Sequence, residues 1–84
     1  MPTRDTRERI SPYVAAILER ERAKRGLSQT ALETLTGISQ SAISKYLRVE
    51  RVIDIDRLDA LCAALGLDIV AVVHEAVQTR ARRS

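Results

Sequence analysis

Eighty-four residues make one small domain with a modest core. The chain contains no Phe and no Trp, so that core has to be aliphatic, and the low aromatic content argues against single-stranded nucleic acid, which relies on stacking platforms. A net charge of +3 and a pI of about 9.6 permit a nucleic-acid or anionic-membrane partner without choosing between them. The apolar runs, Tyr13–Leu18 and Ile69–Val73 among them, are far too short to span a bilayer.

Abundant Ala and Leu with three Gly and two Pro favour an all-α fold. Residues 1–10 are polar and charged and read as a flexible N-terminal arm or a frayed helical lead-in, with no apolar segment resembling a signal peptide. Ser11-Pro12 reads as a helix start, Ser as N-cap and Pro in the first turn, for a helix over about 12–25 that buries Val14, Ile17 and Leu18 and ends at Gly26. Ser28 caps a second helix, about 29–36, with Ala31, Leu32 and Leu35 inward; Gly37 makes the turn and Ser39 caps a third helix, about 40–47. A loop with Arg48 and Arg51 follows. Asp54 caps a fourth helix, about 55–65, whose apolar face is Ile55, Leu58, Leu61, Cys62 and Leu65, and Gly66 stops it. Asp68 caps a fifth, about 69–80. The β-branched run at 69–73 also suits a strand, but Val73, Ala76 and Val77 continue the stripe of Ile69 and Val70 and favour helix. Residues 80–84 read as a basic, disordered tail after a domain spanning 11–79.

The most informative segment is 28–48. On a helical wheel Ala42, Ile43, Tyr46 and Leu47 fall on one half of the third helix, and Gln40, Ser41, Ser44, Lys45 and Arg48 on the other. The first face can join a core. The second offers an amide, hydroxyls and cations, the groups that bond base edges and phosphates. Gln29, Leu32, Gly37, Ile38, Ser39, Ile43 and Tyr46, with Arg22, Gly26 and Leu27 before them and Ala64-Leu65-Gly66-Leu67 after them, resemble the lambda-repressor-like (Cro/CI-type, XRE-type) helix-turn-helix family. The resemblance covers roughly residues 14–78. It implies a compact five-helix domain whose motif, at about 29–47, lays its second helix in the DNA major groove. Two positions depart from the family pattern: Glu33 stands where a small residue lets the two helices approach, implying a slightly wider crossing, and Leu47 stands where many members have a Glu that pairs with the Arg at position 22.

Gln40, Ser41 and Ser44 are therefore the base-reading candidates, with Lys45 able to reach either a guanine or a phosphate. Gln29 and Ser39, at helix N-termini, and Arg48 and Arg51, just past the third helix, are the phosphate candidates. The fifth helix carries Ile69, Val70, Val72, Val73, Ala76 and Val77 over nearly half its circumference, wider than a small core requires, and a second copy is the simplest cover: a two-fold dimer on a palindromic operator. His74 reads as a helix-surface or interface residue and Cys62 as a buried thiol suited to a reducing cytoplasm. One His and one distant Cys make neither a metal site nor a nucleophile–base arrangement. The reading is a DNA-binding transcriptional regulator of the Cro-like phage or bacterial kind. It is not an enzyme, and it has no cofactor, no small-molecule ligand and no membrane partner. The rival readings are an antitoxin that autoregulates through its helix-turn-helix, and a helix-turn-helix kept only as an interaction module. The polar outer face of the third helix speaks against the last, since a partner-binding helix exposes apolar anchors.

Overall fold

The computed structural model describes residues 9–83. Five helices follow one another: α1 (Ser11–Arg25), α2 (Gln29–Thr36), α3 (Gln40–Leu47), α4 (Ile55–Ala64) and α5 (Ile69–Arg83). No strand occurs among the described residues, so Ile69–Val73 opens a helix. The chain packs as a ring: α1 lies on α5 and on α3, α2 lies on α3 and on α4, and α4 closes onto α5. No single helix among the described residues is long and apolar enough to cross a membrane.

Local chemistry sets most of the boundaries. Ser28, Ser39, Asp54 and Asp68 each accept, through a side-chain oxygen, the backbone N–H three residues on, from Ala31, Ala42, Arg57 and Ala71 at 2.8–3.1 Å. Each satisfies one of the orphan donors of a first helical turn. α1 differs from expectation. Ser11 is its first helical residue, not its cap; Ile10 holds the cap position without a side-chain bond. Ile10, assigned to the arm by sequence, packs against the core, and that anchor stands in for a hydroxyl cap. Arg9 is exposed, and residues 1–8 of the arm lie outside the described residues. At the other end α5 continues past residue 80 to Arg83, so Arg80, Arg82 and Arg83 stand on a helical last turn, not in a disordered tail. Ala and Arg are good helix formers, and cations there oppose the negative end of the helix dipole.

The core is aliphatic, centred on Leu18, Leu32, Ile43, Leu61, Cys62 and Leu65. Burial pushes the Cys62 thiol pKa up, which keeps it protonated. Ala31, expected inward, is half-buried, and two further expected core residues are exposed. Leu35 is 59% exposed: α2 buries one apolar side chain fully, Leu32, and at its C-terminal end Thr36 takes the half-buried position. Ile55 is 65% exposed, because side chains tilt toward a helix's N-terminus and Ile55 is the first residue of α4, ahead of the packed turns.

The surface assigned to α5 needs a larger correction. Val72 and Ala76 are buried inside this chain's own core and cannot face a second copy. α5 packs on both α1 and α4, so much of its wide apolar arc is used within the domain. Ile69, Val73 and Val77 are half-buried, and Val70 is exposed. Outside, Arg20 of α1 grips Glu75 of α5 with both terminal guanidinium nitrogens, at 2.8 and 3.1 Å, which lowers the Glu75 pKa.

Candidate nucleic-acid interface

α3 is held by its apolar side. Ile43 and Tyr46 are buried, and Ala42 and Leu47 pack partly against the core. Gln40, Ser41 and Arg48 are left exposed, with Ser44 and Lys45 at the margin, so one face of the helix carries the whole polar set. The Gln40 side-chain amide donates to Gln29 Oε1 at 2.7 Å, fixing the first residue of α3 against the first residue of α2. Ser39 Oγ is engaged by the Ala42 N–H. Lys45 and Arg51 have no carboxylate partner among the described residues, whereas Arg48 is bridged by Glu50, Nε to Oε2 at 3.1 Å. That pair is exposed on both sides, and such pairs are weak enough to exchange for a phosphate.

Glu33 and Leu47, which depart from the family pattern, have structural consequences. Leu47 packs against the core and offers Arg22 no charge. Arg22 turns instead to Glu19, Nε to Oε1 at 2.9 Å, and gives its remaining amino group to the Leu27 carbonyl at 2.6 Å. The guanidinium lowers the Glu19 pKa, chiefly by hydrogen bonding. Glu33 is exposed, and its carboxylate accepts the Gln40 backbone N–H at 3.0 Å, so it spans the turn. Sequence reasoning registered Glu33 only as a bulky residue between helices, because the donor it serves lies seven positions away in another element.

A second unforeseen residue is Arg57. Between the Gly37–Ser39 corner and the α3–α4 loop lies an open cleft of about 510 Å³, with Thr36, Tyr46, Arg51, Asp54 and Arg57 on its walls. Arg57 is tied to Asp54, whose pKa is lowered first by the Arg57 backbone N–H and then by its guanidinium. Nothing in the sequence pattern says that the first turn of α4 flanks the motif's turn; only the packing of α2 on α4 brings them together. The cleft is polar and partly cationic, and it continues the basic rim formed by Arg51. Separately, Ile55 at the start of α4 and Ile69, Val70, Val73 and His74 of α5 line an open apolar concavity of about 490 Å³.

This arrangement can be set beside known proteins. No curated protein sequence matches the chain at a significant level. Among solved structures the chain is similar to the clp gene regulator ClgR from Corynebacterium glutamicum, with a TM-score of 0.80 and 24% identity over 90% of this chain and 81% of that one; at that identity the likeness establishes the fold. The helix-turn-helix family model matches residues 18–72, from the middle of α1 to the first turn of α5. It takes in the paired glutamines, the Gly37 turn and all of α3. The chain belongs to the XRE/lambda-repressor-like helix-turn-helix family of DNA-binding transcription regulators.

Proposed function

We propose that this protein is a sequence-specific regulator that occupies an operator with α3 in the major groove, most simply as a Cro-like repressor of phage or bacterial kind. The observation that carries this is the exposed face of α3, with Gln40 oriented by Gln29 and no apolar anchor among its outward residues. Gln40, Ser41 and Ser44 are the base readers and Lys45 reaches a guanine or a phosphate, since amides pair with adenine in a bidentate way and hydroxyls are permissive. Gln29, Ser39, Arg48 and Arg51 touch the backbone, and Arg57 joins them from the rim of the cleft.

A two-fold dimer completes the proposal, seated on Ile55, Ile69, Val70, Val73 and His74. None of these five carries a carboxylate, a guanidinium or an amine. Two copies can therefore meet there without burying an unpaired charge of those kinds, which is the main obstacle to apolar association. Such a dimer calls for a palindromic operator with half-sites roughly 34 Å apart.

The test is selection of bound sequences from random duplex DNA. Gln40→Ala should cost about 1–3 kcal/mol on the best sequence and relax preference at one base position. Arg48→Ala should weaken all duplexes alike. Affinity should fall steeply with salt, by a slope of about −0.9 per neutralised phosphate. An unchanged motif for Gln40→Ala would overturn the assignment of the reading face.

A further inference from the structure

We infer that Glu33 is a positioning residue for base recognition, one that trades general DNA affinity for discrimination. The inference rests on the reading of α3 as the recognition helix. Gln29 and Glu33 stand four residues, one turn, apart on α2 and share a face. Both reach the same residue of α3. Gln29 holds the end of the Gln40 side chain, and Glu33 holds the Gln40 main chain. Gln40 is thus gripped at both ends from a neighbouring helix, across a three-residue turn, Gly37 to Ser39, in which the glycine is left-handed.

Both holds matter for a bidentate pair. An amide presents two groups to a base edge at fixed separation, so a rotation of the helix's first turn misaligns it as surely as a wrong rotamer. Gln40 is the first helical residue of α3, where the N–H has no partner within the helix. Ser39 serves the Ala42 N–H and Glu33 serves the Gln40 N–H, while the Ser41 N–H stays open among the described residues. A carboxylate at this position is favoured by the helix dipole. It also sets a negative charge beside the start of α3, where the DNA backbone would approach. A negative charge beside the DNA backbone weakens binding to every sequence alike.

The experiment compares wild type, Glu33→Ala and Glu33→Gln for affinity to random duplex, for the selected motif and for thermal midpoint. Both variants should bind random duplex severalfold more tightly than wild type, a gain that shrinks as salt rises. Glu33→Ala should flatten the preference at the base position that Gln40→Ala relaxes. Glu33→Gln, whose amide oxygen still accepts the Gln40 N–H, should keep that preference. A wild-type motif in Glu33→Ala, or random-duplex affinity unchanged in both variants, overturns the inference. So does equal loss on all sequences with no rescue by Gln, which would make the role purely structural. If Glu33→Ala does not fold, Glu33→Gln decides: tighter random binding with the motif kept supports the inference, and anything else overturns it. Wild type without sequence preference on duplex DNA would instead remove the reading of α3 itself.

Discussion

Val49 stands in the left-handed region at φ 60, the one non-glycine residue with positive φ among the described residues. It closes α3 in the same way that Gly26 closes α1 and Gly66 closes α4. At each corner the N–H of the residue after the left-handed one donates to the carbonyl five residues back, Leu27 to Arg22, Glu50 to Lys45 and Leu67 to Cys62, at 2.7–3.1 Å. Two corners use glycine, which adopts that conformation freely; the corner behind the recognition helix uses a β-branched residue, for which it is strained. Such strain costs on the order of 1–3 kcal/mol, part of which a glycine returns through the extra freedom it gives the unfolded chain. Val49→Gly should therefore stabilise the domain by about 1 kcal/mol, read as a higher denaturation midpoint at unchanged m-value. At this scale the four side-chain caps at Ser28, Ser39, Asp54 and Asp68 were legible in the sequence, because a cap and its N–H lie three residues apart. Glu33 as a clasp and Val49 as a strained corner were not. The first depends on how two helices meet, and the second on a backbone angle that valine does not advertise.

Elements were legible through apolar periodicity and punctuation by glycine, and all five helices stand close to their expected spans. What periodicity could not resolve is which part of an apolar arc a neighbour covers. α5 shows this best: its stripe was correctly seen as broad, but Val72 and Ala76 belong to the fold, Val70 is left toward solvent, and Ile69, Val73 and Val77 are half-buried. Ile55, expected in the core, joins that outer group from the start of α4. The dimer proposal is therefore tested at Val70, which is 71% exposed and makes no core contact that its loss would break. Val70→Glu should leave the helical circular dichroism and melting point of the monomer intact. It should shift sedimentation toward monomer and weaken a palindromic operator far more than a half-site. Wild type that sediments as a monomer and binds one non-palindromic site one-to-one would end the dimer reading. A glutamate at Val72 would be uninformative, since burying an unpaired carboxylate there would unfold the domain.

Across the whole molecule the motif is a middle segment enclosed by its flanks. α1 and α5, furthest apart in sequence, are packed together and tied by Arg20 and Glu75, 55 residues apart. Pro12, Tyr13 and Ala16 share a concavity with Thr79 and Arg83, so the beginning of α1 and the end of α5 are neighbours. This nearness concerns the unfolded chain as much as the folded one. To form the α1–α5 contact, a free chain must close a loop over nearly its full length, and the entropy given up grows as the logarithm of that length. A short Gly/Ser bridge from residue 83 back to residue 10 would confine the unfolded ensemble while asking neither helix to move. The cyclised domain should melt several degrees above the linear one, since about 1 kcal/mol moves the midpoint of a domain this size by roughly 4–8 °C. An equal or lower midpoint would mean that the two helix ends do not meet in solution. α1 and α5 carry no base candidate, yet the contact between them closes a loop around the whole motif, and a bridge between their ends would take that cost out of the step that builds the recognition surface.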